Sequence, residues 1–239
     1  AEDDALHSGF LREVMGNCDI GEAELVHAED GEEAIRLVRN RALDGVILDL
    51  QMPKKTGVQV AKAIWEVNPT TPILFWSNYA DEAYVRGIAR IVPPRATYGY
   101  LLKTASKDRL RRAVQCVFVE GQNIVDREVR GVQTQGLESG NLTEAEYEAL
   151  LDISIGLTDQ AIAQRRNISM RSVQGRLQQL YAKLGLAEMP MTGDRRALYN
   201  MRARAVAVAL MSHLINGKAV ETAEADCNQE RELKARSSR

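Results

Sequence analysis

The first 120 residues alternate short apolar runs with amphipathic ones, at a spacing that leaves few folds open. "AELVHA", "DGVILDL", "PILFWS" and "YGYLLK" read as strands. Between and after them, "DGEEAIRLVRN", "GVQVAKAIWEVN", "DEAYVRGIAR" and "SKDRLRRAVQCVFVEG" have the three-to-four-residue apolar spacing of helices. "DGVILDL" is apolar without interruption, as expected of a parallel strand covered on both faces. Repeated strand–helix units with connections this short predict a doubly wound parallel sheet. A first helix follows from Leu6, Phe10 and Val14, which share a face. No strand precedes it, only "AEDD", so a central strand lying largely ahead of Ala1 is expected. The opening carboxylates then fall at the C-terminal edge of the sheet, where open α/β folds bind ligands.

The 239 residues are enough for two ordinary domains. From Ala1 to Glu120 there are 15 Lys and Arg against 18 Asp and Glu. From Asn141 to Gly217 the count is 9 against 7, with five of the bases between Arg165 and Lys183. An acidic front and a locally basic back predict two different jobs. The three cysteines are too few and too scattered for a disulfide framework, and the three histidines share no zinc-like spacing with them. With no run of roughly 20 apolar residues to span a bilayer, a cytoplasmic protein without membrane contact is expected.

After Gly121 the chain turns polar and Gly-rich, so 122–141 is expected to be a linker between a first domain at 1–121 and a second at 142–216. "LTEAEYEALLDISIG", "TDQAIAQRRN" and "SMRSVQGRLQQLYAKLG" are three helical stretches, each opening on Thr or Ser at an N-cap position. Thr143 and Glu146 have the spacing of a capping box. A further helix carries Leu198, Met201, Ala205 and Val208 as one stripe, which either pairs two monomers or packs within its own domain. The charged tail, 217–239, is expected to be solvated or only locally helical.

Glu2, Asp3, Asp49 and Lys103 converge on one edge of the expected sheet. Clustered carboxylates need a balancing cation, and Mg²⁺ suits oxygen ligands. At these residues a resemblance emerges: "ILDLQMPKKTG", "ILFWSNY" and "YGYLLKTAS" resemble the phosphoacceptor, switch-hydroxyl and lysine segments of response-regulator receiver domains, over Ala1 to about Gly121. The resemblance implies Asp49 as phosphoacceptor, and Glu2, Asp3 and the backbone carbonyl of Gln51 beside it as Mg²⁺ ligands, with Asp4 an alternative to one of the pair. It further implies Ser77 and Tyr100 as switch residues and Lys103 as the lysine. Asn78 is larger than the family's usual residue there, and the stretch holding Pro93 and Pro94 is longer than usual.

Residues 142–186 resemble the LuxR-type helix-turn-helix of the NarL/FixJ subfamily, on Leu142-Thr143, Glu146, Gly156, Ala161-Ile162-Ala163, Ile168-Ser169, Val173 and Lys183-Leu184-Gly185. That resemblance makes Met170 to Leu184 a recognition helix. Arg171, Gln174, Arg176, Gln178 and Lys183 would meet DNA, while Val173, Leu177, Leu180 and Leu184 pack inward. Together the halves imply a transcriptional response regulator. A histidine kinase would phosphorylate Asp49, dimerisation and double-stranded DNA binding would follow as a homodimer, and no separate substrate turnover is expected. The alternative is an adaptor whose helical back half binds a protein partner.

Overall fold

The computed structural model describes residues 1–18, 20–21, 23–130, 142–186 and 199–237. The chain forms two compact units that part near Gln133.

In the first unit, α1 (Ala5–Met15), α2 (Gly31–Asn40), β1 (Val46–Leu48), α3 (Gly57–Val67), β2 (Ile73–Ser77), α4 (Glu82–Ile91), β3 (Tyr98–Leu102), α5 (Lys107–Val114) and β4 (Ile124–Val125) follow one another. The sheet is parallel throughout, in the order β1-β2-β3-β4. β2 is buried at all five positions, as its unbroken apolar sequence requires. Leu48, Ile64, Phe75 and Tyr100 fill one side of the sheet, and Leu74, Trp76, Leu101 and Leu110 the other. The helices start where side chains satisfy their free N–H groups: Asp4 caps α1, Asp30 caps α2, and Thr56 with Gln59 makes a reciprocal box on α3.

Two expectations for this unit need correction. Residues 23–28 do not form a strand. Ala1 and Glu2 alone run between them and β1, giving Glu2 N to Ala28 O at 3.0 Å and Asp49 N to Ala1 O at 3.0 Å. A single ladder bond is too little to hold 23–28 extended. Beside Ala1 lies a trough of about 760 Å³ whose lining includes Leu11, Met15, Val26, Val38 and Phe118. The second correction concerns the expected linker. Its start is part of the sheet: Ile124 and Val125 pair with Gly99 and Tyr100, and a helical turn over 127–130 buries Val129 completely in the core. Polar composition concealed it, because only three apolar side chains do the anchoring. Residues 131–141 lie outside the described residues.

The second unit contains α6 (Glu144–Ser154), α7 (Asp159–Arg166), α8 (Met170–Lys183), α9 (Met201–Met211) and α10 (Gly217–Ser237). Leu150, Ile162, Val173, Leu180, Ala205 and Ile215 form its core. The stripe on α9 packs within this core, with Ala205 buried and Met201 and Val208 against it. Leu198 lies outside the described residues. The tail is the third correction: α10 is a 21-residue helix that buries Ala223 and Cys227 and packs Ala219 and Val220 on the same core. Its apolar groups are small and spaced three to four apart, so average composition hid an amphipathic face.

The Thr143–Glu146 capping box is present, and Lys183 Nζ donates to the same Glu146 carboxylate at 2.8 Å. Burial alone would raise the Glu146 carboxyl. The Lys183 ammonium and the Thr143 donors outweigh it and hold the group below the usual glutamate range. A depressed carboxyl leaves the unfolded chain binding the proton more tightly, so this pair stabilises the unit above about pH 4–5 and is lost on further acidification. Thermal melts across that range are expected to show the loss, and Glu146→Gln to flatten it.

Candidate functional site

Asp49 follows β1 directly and is almost fully buried. Its backbone is held on two sides, by the Asp49 N–H on Ala1 O and by Gly57, whose own N–H bonds Leu50 O at 3.1 Å. A Cβ at Gly57 would come 2.2 Å from Asp49 O, so only glycine lets α3 start this close to the carboxylate. Gly57→Ala is therefore expected to destabilise the unit by about 1–3 kcal/mol, the usual range for overpacking. It should also slow chemistry at Asp49, measured by denaturant unfolding and phosphoryl uptake together.

Lys103 follows β3 and reaches across the strand ends. Its Nζ donates to Asp49 Oδ2 at 3.0 Å and to Glu2 Oε1 at 2.9 Å, and lies 5.3 Å from the Trp76 ring centroid. The ammonium is also 2.8 Å from Glu2 Oε2, but off its hydrogen-bond directions, so that buried oxygen has no donor. Burial pushes the Glu2 carboxyl above its usual range, against the pull of Lys103. Ligand atoms of Glu2, Asp3 and Asp49 lie within 4.8 Å of one another, and Asp3 is exposed. One ammonium faces three carboxylates, leaving an excess of negative charge that a divalent cation would balance. The donor set is all oxygen, so these residues fit Mg²⁺. Asp4 serves elsewhere: its side chain accepts from His7 N at 2.9 Å as the N-cap of α1.

Ser77 ends β2 with no exposure, and its Oγ accepts from Tyr79 N at 3.3 Å. The Tyr100 ring is buried, and its hydroxyl donates to Tyr79 O at 2.6 Å. Ser77 and Tyr100 thus grip the same loop, and Lys103 N on Ser77 O at 2.8 Å closes the circuit. Gln51 is half-buried, with its N–H on Asp49 Oδ1 at 3.3 Å. Asn78 points to solvent. Two elements of the site escaped sequence reasoning, Gly57 and the Trp76 face under Lys103. The Thr-Gly pair opening an apolar helix is the signal for Gly57; nothing local announces Trp76.

In the second unit, Asn167 in the left-handed conformation (φ 51°) ends α7, and Ser169 caps α8 two residues later. That tight turn presents α8 on the surface. Val173, Leu177 and Leu180 are buried, Leu184 is half-buried on the same core, and Arg171, Gln174 and Gln178 face solvent with Arg176 half-exposed. Lys183 is turned to Glu146. Behind this face lies an ion network absent from the sequence reading. Asp152 has no exposure and takes Arg165 Nη1 at 2.8 Å, Arg166 Nε at 2.9 Å and Arg166 Nη2 at 3.0 Å. Arg165 also donates to Glu230 of α10 at 3.0 Å, and Arg166 lies 2.8 Å from Glu148. An acid inside the apolar run "ALLDIS" was the available signal.

Residues 1–115 match the response regulator receiver domain family. The chain is 27% identical over 190 residues to the transcriptional regulatory protein LnrK of Bacillus subtilis, covering 73% of this chain and 83% of that one. It is 28% identical over 177 residues to the oxygen regulatory protein NreC of Staphylococcus aureus, covering 68% and 79%. Among solved structures, the two-component response regulator RcsB in complex with DNA shares the fold, with a TM-score of 0.54, 18% identity, and coverage of 87% of this chain and 95% of that one. With Asp49, Lys103 and Ser77 assembled at one sheet edge, residues 1–115 form a domain of the response regulator receiver family.

Proposed function

We propose that this protein is a phosphorylation-controlled transcription regulator. Asp49 accepts a phosphoryl group from the phosphohistidine of a kinase, and α8 reads double-stranded DNA in a homodimer within the cytoplasm. The observation that carries the reading is Lys103 bridging Glu2 and Asp49 beside Ser77. An Asp49 carboxylate oxygen attacks phosphorus, the phosphorus–nitrogen bond of the donor breaks, and an acyl phosphate forms. Glu2, Asp3, Asp49 and the Gln51 carbonyl would hold Mg²⁺, which when bound offsets charge on the phosphoryl oxygens. Lys103 moves from the carboxylates to a phosphoryl oxygen, and Ser77 Oγ turns to donate to another. Tyr100 follows the loop that both it and Ser77 hold, so the surface beyond it changes with phosphorylation.

In the back half, Arg171 and Arg176 suit guanine edges, and Gln174 and Gln178 adenine edges. Lys183 contributes to DNA contact only on leaving Glu146. Arg171→Ala is expected to weaken binding at the guanine it reads by about 1–3 kcal/mol, checked by titrating matched and mismatched duplexes. A second reading, in which this half binds a protein partner, is favoured by the internal pairing of Arg165, Arg166 and Lys183. Steep loss of DNA affinity with salt argues for the first reading, and no measurable duplex binding at low salt for the second.

A further inference from the structure

β3 carries Tyr100 and leads into Lys103, and it is not the edge of the sheet. Its outer side is covered by β4, the first part of the segment that leaves the receiver. Val125 stands opposite Tyr100, and Asp126 N donates to Tyr100 O at 2.8 Å. The buried Asp126 side chain then gathers three donors. Leu102 N reaches Oδ2 at 3.3 Å, while Arg109 Nη2 of α5 and Arg127 N reach Oδ1 at 2.9 and 2.8 Å. Asn123 Oδ1 takes Tyr98 N at 2.8 Å on the other side of the pair. Gly99 makes the approach possible, since a Cβ there would lie 3.1 Å from Ile124 and closer still to Leu74 and Val117. One carboxylate therefore ties strand, helix and exit segment together, one residue away from Lys103.

We propose that Asp126 is a positioning residue that latches the exit segment to the switch strand, and that phosphorylation of Asp49 opens the latch. The proposal rests on the phosphoacceptor reading. Phosphorylation replaces the single carboxylate charge of Asp49 by about −1.5 to −2 on the phosphoryl group and draws Lys103 away from Glu2. Leu102 precedes Lys103 directly, and the Lys103 N–H is held by Ser77 O, so a shift of the Ser77 loop toward the phosphoryl group carries the end of β3 with it. The Leu102–Asp126 bond is the longest of the three and lies past the usual limit of about 3.2 Å, so it yields first. With Asp126 released and the Ile124, Val125 and Val129 contacts parted after it, the covalent tether to the second unit gains residues 122–130. Phosphorylation is thus reported through the length and freedom of the linker, by a route that needs no contact at the α4 face.

The test is amide exchange on the full chain, with and without beryllofluoride and Mg²⁺. The amides of Leu102, Asp126 and Arg130 are expected to exchange at least about tenfold faster with the phosphoryl mimic present. Arg109 is largely exposed, so Arg109→Ala should fold normally while removing one of the three donors. It is expected to speed exchange at Asp126 without the mimic and to shrink the mimic's further effect, with phosphoryl uptake at Asp49 unchanged. If Ser77 and Lys103 amides respond to the mimic while Leu102, Asp126 and Arg130 exchange as before, the latch is refuted and the phosphoacceptor stands. Unaltered exchange at Asp126 in Arg109→Ala refutes it equally. If Ser77 and Lys103 do not respond, the phosphoacceptor reading fails and the latch falls with it.

Discussion

Asp152→Ala is expected to cost the second unit about 3–5 kcal/mol, the range for removing one partner from a buried ion network. The carboxylate has no exposure, and it is the shared acceptor of two guanidiniums. Burial disfavours both charges, but Asp152, Glu148 and Glu230 together hold Arg165 and Arg166 more firmly protonated than in water. Taking Asp152 away leaves Arg166 with Glu148 and Arg165 with Glu230, each facing an empty volume. Denaturant unfolding of the full chain measures the loss. A second variant separates charge from packing: Asp152→Leu with Arg166→Leu replaces the buried pair by apolar groups of similar volume. It is expected to recover most of the stability, since such swaps are often neutral or better. Equal losses in both variants would mean that shape, not charge, is what α6 and α7 need here.

Asp49→Asn is expected to reduce phosphoryl uptake about a thousandfold or more, as loss of a nucleophile does, while leaving the fold intact. The amide keeps the volume of the carboxyl group and relieves part of the negative excess around Lys103. Stability should therefore stay level or rise. Intact-protein mass after incubation with a small phosphodonor reads the first effect, and thermal melting the second. Uptake that persists in Asp49→Asn would move the acceptor to Glu2 or Asp3, the only other carboxylates in the cluster among the described residues.

Strand–helix alternation made the parallel sheet legible, and the apolar run of β2 located its centre. The gathering of Glu2, Asp3, Asp49 and Lys103 was legible too, because they sit at strand ends, where sequence order dictates spatial order. What escaped was non-local. Strand status for 23–28 depends on a neighbour's ladder, not on its own side chains. β4 is two residues long, and its anchors are Asp126 and Val129, which look ordinary in a polar stretch. Asp152 could be marked as an oddity within an apolar run, but its arginine partners come from α7, 13 and 14 residues away, and the glutamate that Arg165 also holds comes from α10, 65 residues beyond that arginine. The helical tail was obscured because alanine, valine and cysteine at three-to-four spacing raise the average hydropathy little while still covering a core.

The most direct test of phosphorylation-controlled DNA reading is selection of bound sequences from a random duplex pool, with and without beryllofluoride and Mg²⁺. A two-fold symmetric site enriched strongly with the mimic and weakly without it is the predicted result. Absence of enrichment under both conditions, with Asp49 still taking up phosphate, would contradict it.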